Sequence, residues 1–172
     1  LRENKVMSLK TRFGNLGNIL DFTNLTEENI YVLNSPILSN SQLEKFTNFF
    51  GKNSITIDCT FDRKDSLEQA IKKIQGEAEI SVRKGLTQLI LSDKSVSEDR
   101  LAIPMLLSVG AINTYLIKKK LRGYASINAQ TGEALDTHSF ATLIGVGATT
   151  VSYTHLRAHE TDSYLVCRLL LE

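Results

Sequence analysis

From Ser54 onward the hydrophobic positions of the chain switch between two periods. Ile55 and Ile57 occupy every second place between Ser54 and Cys59, the spacing of a strand. After Asp65 or Ser66, the residues Leu67, Ala70, Ile71, Ile74, Ala78 and Val82 recur at three- and four-residue steps and predict a helix that Gly85 stops. Residues 86–91 form a nearly continuous apolar run, as in a strand covered on both faces. A polar loop over 92–100 leads to Pro104, placed for a first helical turn. The helix expected over 104–120 is apolar on almost every side, which predicts burial from more than one direction. Gly123 is expected to break it before a strand over 124–129. Thr131-Gly132-Glu133 then turns the chain into a helix over 136–144, which Gly145 caps, and residues 148–151 begin a further strand.

This succession of strand, helix, strand, helix, strand, helix, strand predicts an α/β fold: a parallel sheet with helical crossovers, partial and (βα)-barrel-like. Residues 54–151 are its expected core. Residues 1–53 read as a loop and short-helix extension, punctuated by Gly14, Asn15, Gly17 and Asn18. Thr26-Glu27-Glu28 has acidic residues where a helix would start, and Pro36 disfavours helical geometry at Ser35. Ser41 and Glu44 have capping-box spacing, predicting another short helix.

Composition narrows the function classes. Lys and Arg number 20 and Asp and Glu 19, for a net charge of +1, and the two signs are interleaved. That balance gives no electrostatic argument for nucleic acid or an anionic membrane. The short basic run Lys118, Lys119, Lys120 and Arg122 falls where cations favour a helix C-terminus. No stretch is long and apolar enough to span a bilayer, and the charged start is unlike a signal peptide. Cys59 and Cys167 lack metal-ligand spacing and fit a reducing compartment, so a cytoplasmic location is expected. The start without methionine leads us to expect a segment of a longer protein.

Ligands of parallel α/β sheets sit beyond the carboxyl ends of the strands. Asp58, Ser92, Asp93, Gln130, Thr131 and Glu133 fall there, and their carboxylates could serve as acid and base or hold a metal. Asp and Glu also cap helices and close turns, and no His or Lys stands at a matching position. Gly145-Val146-Gly147 follows a helix and precedes a strand, the reverse of a dinucleotide fingerprint. His138 has no ligand companion, Ser139 has no nucleophile-elbow context, and Cys59 reads as a small buried residue. No catalytic, cofactor-binding or metal-ligating residue is therefore assigned.

Several stretches resemble the central domain of glutamate synthase large subunits. They are Val6-Met7-Ser8-Leu9, Gly17 to Leu20, Ser35 to Asn40, Leu89-Ile90-Leu91-Ser92-Asp93, Ala102 to Ala111, Thr131-Gly132-Glu133-Ala134 and His138 to Ala148, in that order. The resemblance implies a parent oxidoreductase that converts glutamine and 2-oxoglutarate reductively to two glutamates. In that family an amidotransferase domain precedes the central domain, and a domain with FMN and an iron–sulfur cluster follows. The central domain would link the two and help wall an ammonia tunnel, with neighbouring domains, a small subunit or ferredoxin as partners. It would hold no cofactor and be inactive alone. The chain departs from the pattern at Ile112-Asn113-Thr114-Tyr115 and Ser139, where family members often carry histidines. Residues 152–172 also depart, and read as a non-native tail not expected to pack into the domain. A stand-alone barrel-type enzyme using Asp58, Asp93 and Glu133, or an interaction module, are the alternatives.

Overall fold

The computed structural model describes residues 9–14 and 30–153. The chain divides into two compact units, residues 1–36 and 37–172. The expected helix start at Thr26, the turn at Gly17 and residues 154–172 of the expected tail lie outside the described residues. The first two residues of that tail do pack, against expectation: Ser152 and Tyr153 pair with Gln130 and Thr131 in the sheet, Ser152 is buried and Tyr153 lies against the core. In the first unit, β1 (Thr11–Phe13) pairs antiparallel with β2 (Tyr31–Leu33), in the register Arg12 to Val32.

The second unit is built on one parallel sheet. Its strands are β3 (Ile37–Leu38), β4 (Ser54–Asp58), β6 (Gln88–Ser92), β8 (Ser126–Thr131) and β9 (Thr150–Tyr153). They lie in the order β3-β9-β8-β6-β4, and every pairing is parallel. The helices are α1 (Asn40–Phe50), α2 (Leu67–Arg83), α3 (Met105–Lys118) and α4 (Thr137–Gly145). The alternation read from the sequence is thus the observed one: α2, α3 and α4 connect β4, β6, β8 and β9, each new strand lying beside the last. The first strand of the sheet does not follow this rule. β3 sits at the edge opposite β4, beside β9, so the chain crosses the sheet once through α1.

Alternation along the strands separates two faces. Ile57, Leu89, Leu91, Ile127, Ala129 and Val151 point into a core shared with Ala70, Ile74, Ala78 and Val82 of α2, Met105, Val109, Ile112 and Leu116 of α3, and Phe140 and Leu143 of α4. The opposite face carries the intervening residues, and Leu38, Leu43 and Phe46 are buried outside the first core. α1 packs on β3 and β9, which places it on this second face.

Local chemistry sets the element ends, and some differ from expectation. The capping box of α1 is Ser39 with Gln42, not Ser41 with Glu44: Gln42 N–H donates to Ser39 Oγ at 3.3 Å and Ser39 N–H to Gln42 Oε1 at 2.8 Å. Both spacings occur in the sequence. Because β3 ends at Leu38, the next residue is already extended and takes the cap. α3 ends before Gly123, with Lys120 in the left-handed region (φ 59°) and Gly123 inside a short 3-10 turn. Pro104 is the N-cap of α3 rather than part of its first turn. α4 closes through Val146, and Gly147, not Gly145, takes the positive φ of 125°. A Cβ at Gly147 would overlap the Asn113 amide, so close approach as well as backbone geometry requires glycine there. The loop expected over 92–100 runs into a strand, β7 (Arg100–Ala102), antiparallel to β5 (Thr60–Asp62). Leu106, Leu107 and Ile117 of α3 are exposed, so the expected burial of that helix from several directions is not found among the described residues.

Candidate functional site

The carboxyl ends of β4, β6 and β8 bring the strand-end residues to one edge of the sheet, where each carboxylate has its own structural partners. Asp58 Oδ1 accepts from the Thr60 N–H at 3.0 Å and the Thr60 hydroxyl at 2.8 Å. Its Oδ2 accepts from Arg100 Nη2 at 2.9 Å, and Arg100 Nε reaches Thr60 Oγ1 at 3.0 Å. This triad fastens the β5–β7 pair to the end of β4. Asp93 Oδ2 accepts from the Thr131 hydroxyl at 2.5 Å and the Gly132 N–H at 3.1 Å, tying the loop after β6 to the end of β8. Glu133 Oε2 accepts from the Met105 N–H at 2.8 Å. Pro104 offers no side-chain cap to α3, so Glu133 satisfies one of its free amides and sets a negative charge at the positive end of the helix. Among the described residues no group of three His, Cys, Asp or Glu side chains could hold a metal ion.

The second face of the sheet is polar where the first is apolar. Asn128 Nδ2 donates to Gln88 Oε1 at 3.1 Å and to the Leu89 carbonyl at 3.3 Å, and its Oδ1 accepts from Thr150 Oγ1 at 2.7 Å. The three side chains form a buried hydrogen-bonded row across β6, β8 and β9. One turn of the register further, Asp58, Ser92, Gln130 and Ser152 stand side by side on four adjacent strands. Ser92 Oγ accepts from the Lys94 N–H, whereas Ser152 Oγ is buried with no hydrogen-bond partner among the described residues. Sequence reading found Asp58, Ser92 and Gln130 as strand ends but missed Ser152 and the row Gln88–Asn128–Thr150, because an apolar-looking strand such as Gln88–Ser92 conceals two polar residues on one face.

At the amino end of the sheet Arg122 works as a clamp. Its guanidinium donates to Asn113 Oδ1 at 2.7 Å, the Ala125 carbonyl at 2.6 Å and the Gly147 carbonyl at 2.9 Å. Burial pulls the Arg122 pKa below its ordinary value. Lys119 instead pairs with Glu79 at 3.5 Å, and the Tyr115 hydroxyl donates to the same carboxylate at 2.6 Å. The Tyr115 hydroxyl, then Arg83, hold the Glu79 carboxyl below the usual range. Two of the four cations of the basic run, Lys119 and Arg122, are thus engaged at the end of α3.

Cys59 is fully buried, and burial pushes its thiol up to about 12, with Asp58 and Asp93 acting in the same direction. Ser108, the next largest influence after burial, pulls the other way without overcoming it. A thiol held protonated is a poor nucleophile and a poor ligand. The described residues therefore do not fit an iron–sulfur cluster, which needs several thiolates. Nor do Gly145 to Gly147, between a helix and a strand, fit a flavin phosphate. Exposed His138 lies in the first turn of α4, whose N-cap Asp136 accepts from the Ser139 N–H at 2.7 Å; Ser139 holds the Asp136 carboxyl below its usual range.

A family model for the glutamate synthase central domain matches residues 1–163. Among curated relatives, the chain is 46% identical over 155 residues to the glutamate synthase [NADPH] large chain of Azospirillum brasilense, covering 88% of this chain and 10% of that one. It is 41% identical over 157 residues to a chloroplastic ferredoxin-dependent glutamate synthase of Oryza sativa subsp. japonica, and 36% over 156 to the glutamate synthase [NADPH] large chain of Bacillus subtilis, with the same shares of each chain covered. The chain thus spans about one-tenth of the length of the curated relatives it matches. On the family match and these identities, the chain belongs to the glutamate synthase central domain family.

Proposed function

We propose that this segment is the connecting scaffold of a glutamate synthase large chain, holding an amidotransferase domain and an FMN domain at a fixed separation and helping wall the ammonia path between them. The parent enzyme would combine glutamine with 2-oxoglutarate and, with two electrons and two protons, release two glutamates in the cytoplasm. FMN and the iron–sulfur cluster would reside in neighbouring domains, with electrons supplied through a small subunit or ferredoxin. The observation that carries the reading is how the strand-end carboxylates are used. Asp58, Asp93 and Glu133 each bond to backbone or side-chain groups of the domain itself, the arrangement of a scaffold rather than of an acid–base pair.

The test is a full-length large chain carrying this segment with Asp58→Asn, Asp93→Asn and Glu133→Gln, singly and together. A scaffold keeps kcat with glutamine within about threefold wherever the protein remains folded. Loss of a general acid or base would lower it by roughly 10²–10⁴-fold, and that result would move a stand-alone enzymatic role to the front.

A further inference from the structure

The two edges of the sheet are built differently. β3 at one edge is two residues long, follows Pro36 and runs straight into the N-cap of α1, so it offers little to pair with. β4 at the other edge has five residues, Ser54–Asp58, with no proline, no lysine and no break in its register with β6. The Asn53 carbonyl and the Cys59 N–H both bond towards β6. Alternation along the strand therefore turns the N–H and C=O groups of Thr56 and Asp58, and the Ser54 carbonyl, away from the sheet. No strand among the described residues pairs with them there. Only the Ser54 N–H is already used, by the Gly51 carbonyl. Thr56 itself is exposed, and the helix beside it leaves an aliphatic side chain uncovered. α2 packs on β4 and bonds α3 through Gln75 and Glu79, so its opposite flank overhangs the open edge. Ile80, 56% exposed, lies on the outer part of that flank, about 140° round the helix from Gln75.

We infer that β4 is a docking edge for a second copy of the same chain, paired antiparallel about a twofold axis through Thr56. The strand is self-complementary in that register: Thr56 meets Thr56 of the second copy, Ser54 meets Asp58, and Ile55 meets Ile57. The free backbone groups then match. Each Thr56 exchanges both ladder bonds with its counterpart, and each Asp58 N–H meets the other copy's Ser54 carbonyl. Threonine opposite threonine is a favourable cross-strand pair, and the isoleucine pairs continue the apolar face of the sheet. The neighbouring registers, two residues away, leave Asp58 or Ser54 off the end of the strand. Such a contact is isologous and closes at two copies. Its small extent predicts a weak dimer, best read by a covalent trap. The pairing does not depend on the scaffold role proposed above.

Across the axis the two Thr56 Cα atoms would stand about 5.5 Å apart, and the two Ser54 Cα atoms about 14 Å apart. A disulfide can bridge the first distance and not the second. The full-length large chain with Thr56→Cys, oxidised and digested, should give a reducible species of doubled mass joined between the two copies of position 56. It should be at least tenfold more abundant than with Ser54→Cys. Thr56→Lys sets like charges face to face at the axis and leaves the bonded side of β4 intact. It should raise the dissociation constant of the dimer at least tenfold in sedimentation equilibrium. Equal cross-linking at positions 54 and 56, or no species of doubled mass at either, overturns the inference. A bond from position 56 to another segment at unchanged mass also overturns it, since the edge then belongs to a strand of the same polypeptide. A dimer indifferent to Thr56→Lys has the same force, because the copies then meet elsewhere.

Discussion

Cys59 shows how a single side chain ties the stability of the domain to pH. The free thiol titrates at 9.0, and burial raises it to about 12 in the folded chain. The folded state therefore keeps its proton where the unfolded state loses it. The stabilisation is complete below pH 9 and is lost as pH rises towards 12, at no more than ~1.4 kcal/mol per pH unit. Between pH 8 and pH 10 the urea midpoint of the chain should fall further than that of Cys59→Val, measured in parallel. A constant difference would mean that the thiol ionises freely. The burial of Cys59 was legible from its place in an alternating strand. The role of Gly147 was not, because what demands glycine there is the Asn113 amide on another helix, and sequence spacing is blind to such contacts. For the same reason Gly145 was the natural choice of cap from the sequence alone.

Among the elements, long periodic ones were legible and short ones were not. The α2 periodicity located its buried side, though Leu67 at its first turn is exposed. β6, β8 and β9 begin two residues later than the apolar runs suggest, since ladder pairing decides where a strand starts and hydrophobicity does not. β7, with three residues and no alternation, left no periodic signal. The polar row on the second sheet face has a measurable consequence. Asn128→Leu keeps the branched outline of the side chain but strands Gln88, Thr150 and a Leu89 carbonyl without their partner. The expected cost is about 2–4 kcal/mol, from two or more buried groups left unsatisfied. Ile127→Val on the opposite face of the same strand should cost only ~0.5–1.5 kcal/mol. Urea unfolding of the two variants compares the faces directly. Equal costs would show that water already serves the polar row.

At the scale of the molecule, the α/β class and parallel sheet follow from the alternation, but the strand order does not. A two-residue strand next to Pro36 carries too little pattern to be seen, and its partner lies more than a hundred residues away. The order β3-β9-β8-β6-β4 nevertheless makes β3 and α1 structural parts of the sheet rather than an appendage. Ile37 pairs with Val151, and Leu38, Leu43 and Phe46 are buried. Each such side chain contributes ~1.5–3 kcal/mol by burial, so the three together approach the ~5–15 kcal/mol that holds an ordinary domain folded. A chain begun at Ser54 would lose all three and leave β9 as an open edge, exposed to pairing with other chains. Such a truncation should unfold or aggregate, whereas a chain begun at Ile37 should keep a cooperative urea transition. If the two truncations unfold alike, with equal midpoints, the connection through α1 is dispensable and the sheet stands on its four βα-linked strands alone.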